Sequence, residues 1–245
     1  MIVGFVGSGN MAAAMARGWA GEFETMLFSD SGSGRAKALA EELNGETASN
    51  AAIAERADLV VVAVKPAALD QVAPELSAAG KVVSILAAVS VERLELAFPE
   101  AEVLRVMPNV GVEVRKGVLC VAGTASEAVR QKLGGLGHVV EIADEDFDAA
   151  TAVMGCAPAY LALAVEAIAD AGAADGLDAE LARELVVETT AGTAELLRIR
   201  HPADVRKAVA SPGGSTEAGL EALEREGARA AFETAVRASL ERMRG

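Results

Sequence analysis

The stretch that most limits what this chain can fold into is its start, MIVGFVGSGNMAAAMARGWA. Residues 1–6 are apolar apart from Gly4 and suit a buried strand, residues 12–19 read as a helix, and Gly7-Ser8-Gly9 joins the two. A strand that must reverse into a helix within so few residues favours glycine at position 7. A pyrophosphate can approach the helix N-terminus only where position 9 carries no side chain. Ala12 takes the third place in this glycine pattern and lets the helix pack closely on the strand. A tight turn without any ligand would use the same residues, but placement directly after an apolar strand favours a dinucleotide. On that reading Gly7, Ser8, Gly9, Asn10 and Met11 are cofactor-binding candidates.

The first half then alternates strand-like segments at 25–29, 58–64, 81–87 and 102–107 with helical ones at 34–43, 68–79 and 91–98. This is the rhythm of a parallel, doubly wound sheet, and the β-branched run Leu59 to Val64 implies strands covered on both faces. Strands at 117–123 and 138–143, flanking a helix at 126–136, complete it. From Asp144 onward no further strand run occurs, and Ala- and Leu-rich helical segments occupy 145–174, 178–200, 202–210 and 215–243. The expected architecture is α/β: a Rossmann-type dinucleotide-binding domain over 1–143, followed by an all-α domain over 144–245. PAYLALAVEAIADAGAA has no charge before Glu166 and is apolar on more than one face. A domain of about a hundred residues cannot bury so much alone, which predicts a homodimer built through the helices.

Composition narrows the partners. With 36 acids against 22 bases the formal charge is −14, and only eight residues are aromatic, a surface that repels phosphate backbones and offers little for stacking bases. Nucleic acid is therefore not an expected partner. No stretch reaches the roughly 18 uncharged apolar residues of a membrane span, and no signal-peptide pattern opens the chain, so a cytoplasmic protein is expected. Cys120 and Cys156 and the two histidines lack metal-site spacing, so no metal is expected.

In an open α/β sheet the ligand lies beyond the carboxyl ends of the strands, so the informative residues should follow them. After the second strand, Ser29, Ser31, Ser33 and Arg35 offer hydroxyls and a base suited to the 2′-phosphate of NADPH, while Asp30 keeps NADH in play. Ala63, Val64, Lys65 and Pro66 close another strand, and Met107, Pro108 and Asn109 a third. Proline at 66 has a purely structural reading as a strand stop and helix start. In the helical half, Ser211-Pro212-Gly213-Gly214 breaks a helix and Ser215-Thr216-Glu217 begins another. Such a turn is either an ordinary capped connection or an anion site suited to a carboxylate.

Taken in order, GFVGSGNMAAAMARG, AVKP, MPN, PAYLALAVEAIADAG, HPADVR and SPGGST resemble the pyrroline-5-carboxylate reductase family along nearly the whole chain. The resemblance implies reduction of 1-pyrroline-5-carboxylate to L-proline with NADPH or NADH, by a Rossmann domain and a helical dimerisation domain, sometimes assembled into a ring of dimers. It implies that Ser211, Gly213, Gly214, Ser215 and Thr216 bind the substrate carboxylate, with Thr216 hydrogen-bonding the ring nitrogen as the catalytic contact. Lys65, Pro66, Met107 and Asn109 would border the nicotinamide, Ala157, Pro158 and Tyr160 would shape the domain junction, and catalysis would need the dimer. Val110-Gly111 stands where Thr-Pro is common, and Cys156-Ala157 replaces a serine-rich pair, leaving another cyclic imine open as substrate. Hydroxyacid dehydrogenases combine similar domains but use a lysine early in the helical one. Here Lys207 is the only lysine after residue 150. A nucleotide-binding regulatory protein without turnover is the remaining alternative.

Overall fold

The computed structural model describes residues 1–244, which divide into two compact units, one built on Met1–Gly155 and one on Cys156–Arg242. In the first, the strands are β1 (Ile2–Val6), β2 (Thr25–Ser29), β3 (Glu46–Thr47), β4 (Leu59–Val62), β5 (Lys81–Ser84), β6 (Glu102–Pro108), β7 (Gly117–Gly123) and β8 (Gly137–Glu141). They form one sheet in the order β3-β2-β1-β4-β5-β6-β7-β8. Its helices are α1 (Asn10–Gly18), α2 (Arg35–Leu43), α3 (Asn50–Arg56), α4 (Leu69–Val72), α5 (Val91–Ala97), α6 (Glu127–Gly134) and α7 (Phe147–Ala150). Strand order reverses at β1, whose neighbours are β2 and β4, so the switch point falls at the glycine turn.

Both faces are covered, as the β-branched runs require. Phe5, Met15, Trp19, Phe28 and Val61 fill one layer beneath α1, α2 and α6, and Leu27, Ile53, Val60, Leu76 and Leu94 fill the other beneath α3, α4 and α5. Phe5 stacks on Phe28 at 5.4 Å between centroids, and the Trp19 indole N–H donates to the Lys132 carbonyl at 2.8 Å. The one large polar side chain in this core, Arg105, is 5% exposed on β6. It is held by Asp144 at 2.8 Å and lies over the Phe147 ring at 3.9 Å, tying the end of the sheet to the segment that leaves it.

The sheet departs from the expected all-parallel pattern at one step, because β7 pairs antiparallel with β6. Only the short 3₁₀ segment Val110–Val114 separates them, and a parallel crossover needs a dozen or more residues. The pair β3 and α3, absent from the sequence reading, follows α2: β3 is two exposed residues, and α3 starts at a Ser49 cap accepting from Ala52 N–H at 3.2 Å. The helix expected at 68–79 is instead α4 between 3₁₀ turns at Pro66–Ala68 and Ala73–Leu76, because Pro74 cannot donate in a continuous helix.

The second unit is all helix: α8 (Ala157–Ala174), α9 (Ala179–Leu197), α10 (Pro202–Val209), α11 (Ser215–Arg225) and α12 (Ala228–Arg244). The single helix expected at 145–174 is broken by a π-helical turn, Thr151–Gly155, before Pro158 enters the first turn of α8. That expected at 215–243 divides at Glu226-Gly227 into α11 and α12. Helices α8 and α9 pack together, and Ala169 and Ala182 are the only buried residues of either. Leu161, Leu163, Ile168 and Ile199 remain more than half exposed, with Ile199 at 78%. The helical stretch Asp144–Ala174 contains an 18-residue window of mean hydropathy 1.7 and is long and apolar enough to cross a membrane by length and composition, against the sequence expectation that no segment is.

Candidate active site

The glycine turn separates into two physical requirements. Gly7 sits at φ 99°, and a Cβ there would lie 2.6 Å from the Ala63 carbonyl oxygen, so the fold itself demands glycine. Gly9 is extended, at φ −77° and ψ −179°, and a Cβ there would meet nothing within 4 Å. Neither conformation nor packing calls for glycine at 9. It caps α1 without a side-chain hydrogen bond, and the first helical bond runs from Ala13 N–H to the Gly9 carbonyl. The preceding N–H groups of α1, those of Asn10, Met11 and Ala12, therefore point out of the helix end over a surface kept bare. This arrangement suits a dinucleotide pyrophosphate: open space at Gly9, free donors and the positive end of the helix dipole coincide.

A cleft of about 500 Å³ runs from this turn across the ends of β1, β2 and β4. Of the predicted cofactor residues it is lined by Gly7, Ser8, Gly9, Ser29, Ser31, Arg35, Ala63, Val64 and Lys65. Asn10 instead borders a neighbouring groove of about 340 Å³ between α1 and α2, which Ser8, Gly9 and Arg35 share. Met11 packs on the core, and Pro66, Met107 and Asn109 do not line the cleft.

Several of these side chains are engaged within the protein. The buried Ser8 hydroxyl donates to the Ser29 carbonyl at 2.9 Å, and the buried Ser29 hydroxyl donates to Asn50 Oδ1 at 2.6 Å, so both brace the strand ends. Asn109 is spent likewise: its Oδ1 accepts from Gly111 and Val118 N–H at 3.2 and 3.1 Å, and its Nδ2 donates to the Met154 carbonyl at 3.2 Å. It fastens the β6 end to the π-helical turn.

Asp30, the acid that kept NADH in play, has its carboxylate turned into its own loop. It accepts from Ala36 N–H at 3.0 Å, the Ser33 hydroxyl at 2.7 Å and Gly32 N–H at 2.8 Å. Those bonds, the Ala36 N–H foremost, hold its carboxyl down at about 2. Arg35 starts α2 on the cleft wall, exposed and in no ion pair among the described residues. Arg17 beside it is consumed by Glu42 at 2.7 Å and Glu113 at 3.2 Å.

In the second unit the Ser211–Thr216 segment is an exposed turn between α10 and α11. The expected carboxylate donors divide. Gly213 N–H donates to Glu217 Oε2 at 2.7 Å and Gly214 N–H to the Ser211 carbonyl at 2.9 Å, so these two are already satisfied. Gly214 caps α11 without a side-chain bond, and the first helical bond is Ala218 N–H to its carbonyl, which leaves the Ser215 and Thr216 N–H groups at the helix end. Thr216 itself is exposed.

The sequence reading passed over Ala68, Gln71, Val72, Glu75 and Asn50 as cleft residues. The first four were legible as one helical face at i, i+3, i+4 and i+7 following AVKP, but only the fold turns that face to the cleft.

A doubly wound sheet with a bare helix N-terminus at its switch point defines the class as a Rossmann-type dinucleotide-binding protein. A family model described as pyrroline-5-carboxylate reductase dimerisation matches residues 144–245, and one described as NADP oxidoreductase, coenzyme F420-dependent, matches residues 2–88. The pyrroline-5-carboxylate reductase of Synechocystis is 38% identical over 204 residues, covering 79% of this chain and 76% of its own. Among solved structures, the 1-pyrroline-5-carboxylate reductase of Streptococcus pyogenes superposes with a TM-score of 0.89 at 31% identity, over 99% of this chain and 98% of that one. The Plasmodium falciparum pyrroline carboxylate reductase, solved with NADP bound, reaches 0.84 at 28% identity over 99% and 97%. The chain belongs to the pyrroline-5-carboxylate reductase family. The dimerisation match supports a dimer, and the helical unit it covers carries the exposed apolar residues of α8 and α9.

Proposed function

We propose that the protein reduces the C=N bond of 1-pyrroline-5-carboxylate to L-proline, with NADPH preferred over NADH as hydride donor. The observation that carries this reading is the unforced glycine at position 9 above the α1 N-terminus, since only a close-lying ligand gives it a purpose. When bound, the nicotinamide cofactor supplies the hydride that adds to the imine carbon. The α1 donors hold the pyrophosphate, and Lys65 stands at the β4 end where the cofactor passes. Ser215 and Thr216 N–H groups at the α11 terminus hold the substrate carboxylate, and the Thr216 hydroxyl hydrogen-bonds the ring nitrogen. The imine is basic enough to arrive protonated, so positioning and charge complementarity carry the reaction and no strong general acid is needed. The preference for NADPH rests on Arg35, unpaired beside Ser31, and on an Asp30 carboxylate whose acceptors are already engaged by Gly32, Ser33 and Ala36. The catalytic unit is the dimer.

The test is oxidation of NADPH and of NADH by purified protein given 1-pyrroline-5-carboxylate, with a six-membered cyclic imine carboxylate in parallel. Turnover on the five-membered ring, with a higher kcat/KM for NADPH, is expected. Turnover on the larger ring alone would reassign the substrate, and cofactor binding without turnover would mark a regulatory protein.

A further inference from the structure

The segment that leads out of the sheet, residues 144–155, is fastened to β6 at both ends, by Arg105 and by Asn109. These two are four residues apart on extended backbone and so share one face. The start of the segment is held several times over. Arg105 pairs with the Asp144 carboxylate at 2.8 Å and covers the Phe147 ring, and Val91 N–H donates to the other Asp144 oxygen at 3.1 Å. The end of the segment is the π-helical turn Thr151–Gly155, in which Ala152 is fully buried. Among the described residues, the side chain that bonds to this turn from outside the segment is Asn109, whose Nδ2 donates to the Met154 carbonyl at 3.2 Å. The second unit begins directly after the turn, at Cys156.

Asn109 makes three such bonds, and only one of them requires an amide. Its Oδ1 accepts from Gly111 and Val118 N–H, which an aspartate carboxylate at the same cap would do as well. The bond to Met154 needs a donor, which an ionised aspartate lacks. The amide thus has its distinct use at a π-helical turn, a rare element that occurs frequently at functional sites. We infer that Asn109 is a positioning residue for hydride transfer: by fixing the Met154 carbonyl it fixes the turn from which the helical unit departs. This rests on the reaction proposed above, in which the first unit holds the cofactor and the second the substrate carboxylate. Hydride transfer tolerates little misplacement, since an error of about 1 Å can cost about a hundredfold in rate. Asn109 does not line the cofactor cleft, so it acts on the chemical step and not on cofactor affinity.

The experiment compares the unmodified protein with Asn109→Asp, which keeps the acceptor and removes the donor. A second variant, Thr151→Val, loosens the same turn by deleting the Thr151 hydroxyl bond to the Phe147 carbonyl at 2.6 Å. Amide hydrogen exchange is followed over residues 147–158, NADPH affinity by calorimetry, and the hydride step by stopped-flow oxidation of NADPH in a single turnover with saturating 1-pyrroline-5-carboxylate. In both variants exchange in the segment should quicken and the single-turnover rate constant should fall about 10- to 100-fold, with its amplitude kept and NADPH affinity within about twofold. A loss confined to the amplitude would mean fewer folded sites and would overturn the positioning role. So would faster exchange with an unchanged rate constant, exchange that Asn109→Asp leaves unaltered, or an NADPH affinity that falls in step with the rate. Where Asn109→Asp fails to fold, Thr151→Val decides by the same readings. An unmodified protein that binds NADPH but reduces no 1-pyrroline-5-carboxylate would overturn the reaction itself and this role with it.

Discussion

Replacing Gly9 by valine isolates the ligand from the fold. The backbone at 9 is extended and open to any L-residue, and the new Cβ would touch nothing. Exchanging glycine for an apolar residue at a helix cap costs up to about 1 kcal/mol, and the stiffer unfolded chain returns about 0.4–1 kcal/mol. Stability should therefore change by less than about 1 kcal/mol, a melting shift of a few degrees at this chain length. Binding should suffer far more. A branched side chain in the cradle keeps the pyrophosphate from the α1 donors, and losing two charge-assisted bonds at about 1.5–3 kcal/mol each weakens NADPH by about 10² to 10⁴-fold. Gly7→Ala is the opposite control. Its φ of 99° and the Ala63 oxygen at 2.6 Å put the damage in the fold, so the melting temperature should drop sharply, beyond the ~1–2 kcal/mol of left-handed backbone strain alone. Calorimetric NADPH titration and thermal melts of the ligand-free variants give both quantities. Native NADPH affinity in Gly9→Val would refute the reasoning, since the absence of a side chain at 9 would then have no ligand to explain it.

Three further outcomes follow from the same geometry. If Arg35 serves the 2′-phosphate as proposed, Arg35→Ala should weaken NADPH by about 10- to 100-fold and leave NADH nearly unchanged in paired titrations. Thr216→Ala should lower kcat on the imine with cofactor affinity preserved, and steady-state kinetics beside a binding titration separates the two. Asp30 has a carboxyl depressed in the folded state, so its contribution to stability is present above the ordinary carboxylate value near 4 and is lost as pH falls through about 2. Asp30→Asn should destabilise the protein at neutral pH and flatten the acid limb of its stability profile across that window, as measured by denaturant unfolding at a series of pH values.

What the sequence determined alone was whatever rests on local pattern. The β-branched runs implied strands covered on both faces, the change of periodicity after Asp144 implied a helical half, and Gly7-Ser8-Gly9 between an apolar run and a helix marked the turn a dinucleotide could approach. Tertiary structure decided which groups are free to act. Ser29, Asp30 and Asn109 carry suitable chemistry at strand ends, yet their donors and acceptors are taken by Asn50, by the 32–36 loop and by Met154, partners that no local spacing reveals. The direction of β7 was likewise settled by the short connection after Pro108, and the exposure of Gln71 and Glu75 to the cleft by the way the turns after β4 lie across the sheet end. The division is physical. Periodicity reports which face of an element must leave water, whereas a polar side chain's role depends on whether the fold has already satisfied its hydrogen bonds, and that is known only once distant segments meet.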